Sequence, residues 1–353
     1  MKLLIRSFLI LLISITLLST TYFASQTLPS LKSKSTLNIF VWGDMFPEEV
    51  FKKFEKETDI HLVVNFYTSN EELIVKLENS KGSGYDIVFP SDYGVTSLIE
   101  KGLLKPLDKC KLQFLDRIEP YLLNQAFDTN NTYSTPYNWE VYGITQELTK
   151  TSNSFIPSLS LLFEGKGKVV MTDDPVEAID FAAHYLYGYK KILKPHEEYE
   201  VIKLLKTQKN RVEAYTDNRV QYMITSNKDC PTALMRVSFF WKHYNELSHL
   251  QIHLPKEGVF TTIETVAISA NSKNLDAAYK FINYIYRPEI MAASLSESPL
   301  FPACKDVLPL TPFAEIPRYQ QLFEEIKSRD DLYFTHYLIL KERYRPAWVE
   351  IKS

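Results

Sequence analysis

The chain has 353 residues, 45% of them hydrophobic and 24% charged, with a formal net charge of −3 at pH 7. That acidic balance argues against nucleic acid and anionic lipid as partners. The three cysteines, Cys110, Cys230 and Cys304, are too widely spaced in sequence for a zinc site or a redox pair, so buried free thiols are expected, and no metal or cofactor.

At the start, Lys2 and Arg6 precede an apolar run from Phe8 to Leu18. The run suits a signal peptide and falls short of the about 20 apolar residues of a membrane span. Residues 1–25 therefore read as a signal peptide for export. An uncleaved anchor is the alternative, because bulky Tyr22 stands where a cut after Ala24 wants a small side chain. The rest of the chain exceeds the size that one core usually serves, so two domains are expected.

Leu37 to Trp42 reads as a short apolar strand, and Val50, Phe51 and Phe54 then recur at helical spacing. Ile60 to Tyr67 is a second strand, followed by a helix carrying Leu73, Ile74 and Leu77 on one face. Tyr85 to Pro90 is a nearly continuous apolar strand, as in a parallel sheet covered on both faces. The alternation resumes with a strand at Lys168–Thr172 and a helix from Asp174 that turns Ile179, Ala182, Ala183 and Leu186 inward. Another helix around Tyr199 to Leu205, strands at Val220–Ile224 and Glu264–Ile268, and an amphipathic helix from Leu275 to Arg287 stopped by Pro288 complete the pattern. Strands alternating with helices predict an α/β fold in two lobes.

Asp174-Pro175-Val176-Glu177 has the form of a helix start, with Asp at the cap, Pro at the first position and Glu closing a capping box. Trp42 at a strand end reads first as core, and Ser91-Asp92-Tyr93 as a turn. Glu264, in an apolar and threonine-rich strand, must lie either at a solvated edge or in a cleft. His61 alternates out of its strand and is expected at the surface. No HExxH, Gly-x-Ser-x-Gly or CxxC motif occurs, and an acid pair on one helix turn cannot flank a scissile bond, so an enzyme is not expected.

Several stretches in order carry a resemblance: Val41-Trp42-Gly43-Asp44 with Pro47, Tyr85 through Tyr93, Tyr133 through Tyr137, Met171 through Glu177, Pro255-Lys256-Glu257-Gly258, and Ala278 through Tyr284 with Arg287-Pro288. In these the chain resembles the periplasmic spermidine/putrescine-binding proteins. The resemblance implies a two-lobed periplasmic binding protein fold of type II, hinged about an interlobe cleft. The first lobe would hold 37–140 and 266–308, the second 141–265 and 309–353. It implies a periplasmic, monomeric receptor that captures a polyamine and delivers it to the membrane permease of an ABC importer.

By the same resemblance, Asp174, Glu177 and Glu264 would grip ammonium groups, with Asp44 standing for a glutamate and Glu264 for an aspartate. Trp42 and Tyr93 would supply aromatic walls, and Ser91 a hydrogen-bonding hydroxyl. The chain departs from the pattern at Thr225 and Thr262, where the family has two tryptophans, at Met45 for a tyrosine and at Gly43 for a hydroxyl residue. Tyr222, Trp139 and Trp241 are candidates to compensate. With the aromatic box thinned, the choice among polyamines stays open, and ferric iron or a sugar remains the alternative ligand on the same fold.

Overall fold

The computed structural model describes residues 13–16, 18–20, 35–43, 45–147, 156–189, 192–217, 220–227, 229–296, 300–334 and 341–353. The expected signal peptide falls mostly outside these residues, and Asp44 falls outside them altogether.

Two parallel blocks of strands are joined through two long antiparallel ones. The first block is β1 (Thr36–Trp42), β2 (His61–Tyr67) and β3 (Ile87–Val88), with β2 and β3 both pairing parallel to β1. The second is β6 (Val169–Thr172), β7 (Val212–Thr216) and β8 (Thr232–Arg236), again all parallel. Between them run β5 (Ser134–Glu147) and β10 (Val259–Ser269), giving the order β2-β1-β3-β10-β5-β8-β6-β7. The ends of β10 pair with β3 and β4 (Leu104–Lys105) on one side and with β12 (Leu332–Phe334) on the other. The first half of β5 pairs with β10, and its second half with β8 and β9 (Leu250–His253). These two strands therefore cross from one block to the other, the geometry of a hinge.

Sequence explains the local elements. Helix Glu48–Thr58 buries Val50, Phe51 and Phe54, and ends at Asp59 in the left-handed conformation. Helix Asn70–Ser80 is capped by Ser69, whose side chain accepts from Glu72 N. In β5 the first twelve residues are all buried, because helices or loops cover both faces of the strand. One apolar cluster runs from Leu37 and Phe54 through Trp139 to Trp241, and a smaller one gathers Phe181, Val201 and Trp348. The last helix, Lys341–Lys352, packs on helices Pro195–Lys209 and Pro175–Tyr187.

Several expectations are corrected. Val220–Ile224 is not a strand: Gln221–Thr225 is a short helix, and the ladder at this point of the fold is β8. Its β-prone side chains lose to tertiary packing, with Gln221 and Thr225 fully buried. Pro288 does more than stop a helix, since Leu275–Ile285 ends before it and Pro288–Ser294 begins with it. Leu186 is 37% exposed rather than inward, although Ile179, Ala182 and Ala183 are buried. Tyr85–Pro90 forms a ladder only at Ile87 and Val88. Cys230 and Cys304 are buried free thiols, whereas Cys110 is exposed.

Candidate ligand-binding cleft

Parallel strands end on one edge of their sheet, and loops beyond those carboxyl ends are where open α/β sheets bind ligands. In the first block these ends deliver Trp42, Tyr67 and, beyond β3, Ser91. In the second they deliver Thr172 and Arg236. The crossing strands supply the floor. Glu264 pairs directly with Asn138, and Thr262 with Glu140, which puts all four on one face of the β5–β10 ladder. Tyr142 on β5 pairs in turn with Arg236 on β8.

Glu264 is the centre of the first-block side. Trp42 Nε1 donates to its Oε2 at 2.8 Å, and Ser91 Oγ donates to its Oε1 at 2.7 Å. Asn70 holds Ser91 in place, accepting from Ser91 N at 3.1 Å and donating from Nδ2 to Ser91 Oγ at 3.0 Å. A Cβ on Gly94 would sit 2.5 Å from Asn70 Oδ1, so the close approach of this amide requires glycine. The register of β10 shifts between Glu264 and Thr265, and Thr265 Oγ1 donates to Pro90 O at 2.7 Å, which locks the loop before Ser91 to the hinge. Burial pushes the Glu264 carboxyl up to about 7, against the pull of Ser91, Arg236 and Trp42. Near neutral pH this acid is poised between its two forms.

Trp42 lies against Tyr67 with ring centroids 4.5 Å apart. Burial pushes the Tyr93 phenol well above its usual range, the charges of Glu71, Asp174 and Glu264 raise it further, and a hydrogen bond with Asn70 pulls it back. The structure therefore brings Trp42, Ser91 and Glu264 together.

The second-block side is built differently. Arg236 Nη1 donates to Glu140 Oε1 at 2.5 Å, Nη2 to Glu177 Oε1 at 3.1 Å, and Nε to the Tyr142 hydroxyl at 2.7 Å. Its guanidinium also lies 5.1 Å from the Tyr142 ring centroid. Glu177 further accepts from the Tyr142 hydroxyl and, at 2.7 Å, from Thr172 Oγ1, while Glu140 accepts from Ser238 Oγ. Asp174 caps helix Pro175–Tyr187, accepting from Val176 N and Glu177 N. The expected capping box is only half made, because Asp174 N donates to Thr172 Oγ1 and the Glu177 carboxylate is engaged by Thr172, Tyr142 and Arg236.

Sequence reasoning missed Asn70, Asn138, Glu140, Tyr142 and Arg236. The signal for three of them was the alternation of Asn138, Glu140 and Tyr142 with Tyr137, Trp139 and Val141, which marks a polar face on a buried strand. Asn138 is 1% exposed, and neither atom of its amide has a hydrogen-bond partner. Thr225 is fully buried, donating to Gln221 O at 2.9 Å, and Thr262 is half-buried opposite Glu140. Of the aromatic residues expected to compensate, Trp139 packs against Tyr121 and Phe301, Trp241 against Phe240 and Tyr244, and Tyr222 stacks on His243. Among the described residues no helix is long and apolar enough to cross a membrane.

Two α/β blocks bridged by crossing strands, with polar groups converging from both, define a solute-binding protein. Residues 49–321 match the family described as bacterial extracellular solute-binding protein. The spermidine/putrescine-binding periplasmic protein of Salmonella typhimurium is 30% identical over 259 residues, 72% of this chain and 74% of that one. The Escherichia coli putrescine-binding periplasmic protein PotF is 28% identical over 282 residues, 73% of this chain and 75% of its own. The solved structure of the spermidine/putrescine ABC transporter substrate-binding protein PotD from Streptococcus pneumoniae, in complex with calcium and HEPES, superposes with a TM-score of 0.75. It covers 90% of this chain and 98% of that one at 23% identity, a likeness of fold. The chain belongs to the bacterial extracellular solute-binding proteins, which bind and hand over their solutes rather than convert them.

Proposed function

We propose that this protein captures a polyamine in the cleft between its two blocks and delivers it to the permease of an ABC importer. One observation carries the reading: the half-buried Glu264 carboxylate meets only neutral donors, the Trp42 indole and the Ser91 hydroxyl, in its side-chain hydrogen bonds. A desolvated carboxylate of this kind gains most from an ammonium group, which supplies charge and donors together. The Asn138 carbonyl beside it adds an acceptor without a partner. On the second-block side Glu140 and Glu177 share the single cation Arg236, and Asp174 caps the helix that carries Glu177, so acids outnumber the cation and the cleft favours a positive ligand. Trp42 and Tyr93 offer faces for methylenes and for cation–π contact. The names of the relatives point the same way.

In this reading the lobes are 37–140 with 266–308 and 141–265 with 309–353, closing about β5 and β10. Residues 1–25 direct export to the periplasm, and the receptor works as a monomer. The test is calorimetric titration of unfolded, ligand-stripped and refolded protein with putrescine, cadaverine, spermidine and spermine. Saturable one-to-one binding near micromolar, about −8 kcal/mol, is expected. No heat with any of the four, from protein shown to be folded, sinks the polyamine.

A further inference from the structure

We propose that Arg236 is the specificity-determining residue of the cleft: its guanidinium occupies the cation position between Glu140 and Glu177, so the cleft accepts a short aliphatic diamine and discriminates against longer triamines. This rests on the polyamine reading above.

Arg236 ends β8, on the edge where the strand ends of the second block meet the cleft. Its three nitrogens each hold a partner, two of them carboxylates on different elements, Glu140 on β5 and Glu177 on helix Pro175–Tyr187. The planar fork matches this pair in a way that a point-like ammonium cannot, and the Tyr142 ring backs it. An ammonium entering here must displace a guanidinium already hydrogen-bonded and largely out of water, with a side-chain exposure of 24%. Any amine placed beside it also meets a like charge.

Glu264, by contrast, meets only the Trp42 indole and the Ser91 hydroxyl in its side-chain hydrogen bonds, so an ammonium placed there has a carboxylate to itself. The acids that would hold further ammonium groups, Glu140 and Glu177, already hold Arg236, so a chain with two ammonium groups fits better than one with three. A third, further along, would fall on Arg236.

The test compares putrescine with spermidine by calorimetry on stripped, refolded protein carrying Arg236 or Arg236→Gln. The native protein should prefer putrescine by at least about tenfold, and R236Q, with Glu140 and Glu177 released, should shift the ratio towards spermidine by at least about tenfold. R236K, which restores the charge, should recover most of the diamine preference. If R236Q does not fold, the double variant E140Q/R236Q removes cation and acid together, leaves Glu177 for an amine, and should show the same shift. An unmoved ratio in a folded variant, or a native preference for spermidine, overturns the role of Arg236 while leaving the polyamine reading intact. Absence of binding by the native protein removes both.

Discussion

The two sides of the cleft treat charge in opposite ways. On the first-block side, Glu264 is surrounded by an indole N–H and a serine hydroxyl, which solvate a carboxylate without neutralising it. On the second-block side, Glu140 and Glu177 share a guanidinium and are further satisfied by Ser238, Thr172 and Tyr142. One wall leaves its acid to a ligand, and the other carries its own cation. Hydrogen bonds alone thus make a receptive site, whereas hydrogen bonds plus a counter-charge make a structural one.

Breaking the second side should produce the largest effect, and on stability. Arg236→Ala strands two enclosed carboxylates, and loss of one partner from a buried pair costs about 3–5 kcal/mol; chemical denaturation should show it as a lower midpoint at unchanged slope. Glu264→Gln should do the reverse. Because burial raises the pKa of this acid, its ionised form costs stability as pH rises from the unfolded value through about 7. The amide escapes that cost, so at pH 8 the ligand-free variant should melt higher than the native protein. Diamine binding should meanwhile weaken by about 1.5–3 kcal/mol, the worth of a hydrogen bond to a charged group. A lower melting temperature, or unchanged affinity, would place Glu264 in the structural class of its neighbours across the cleft.

The smallest effect sharpens the comparison. Trp42→Phe keeps the ring beside Tyr67 and removes one donor to Glu264. Affinity should fall by about 1 kcal/mol, and the pH midpoint of binding should move upwards, because that donor holds the Glu264 pKa down. A midpoint that stays put would mean that the indole acts only by packing.

The asymmetry was half legible in the sequence. Trp42 ends one strand and Ser91 follows another, both marked clearly by short apolar runs, Glu264 stands out as an acid inside a third, and the family resemblance already grouped them. Arg236 was not legible, because its meaning lies in partners 96 and 59 residues away, joined only when β5, β8 and the Pro175 helix come together. The same long-range pairing spoiled the capping box at Asp174, whose local pattern is sound but whose glutamate is taken by a stronger partner. Gln221–Thr225 failed for a related reason: five residues carry too little periodicity to outweigh packing.

The most direct test of the central claim is calorimetric titration with putrescine between pH 5.5 and 8, in two buffers of different ionisation enthalpy. If an ammonium binds the Glu264 carboxylate, binding lowers that pKa from about 7 and releases a proton. The account predicts buffer-dependent heats near pH 6.5, and affinity that falls as pH drops below about 7, by up to about tenfold per unit. Saturable binding with no proton exchanged and no pH dependence would contradict it, and would move the ligand away from Glu264.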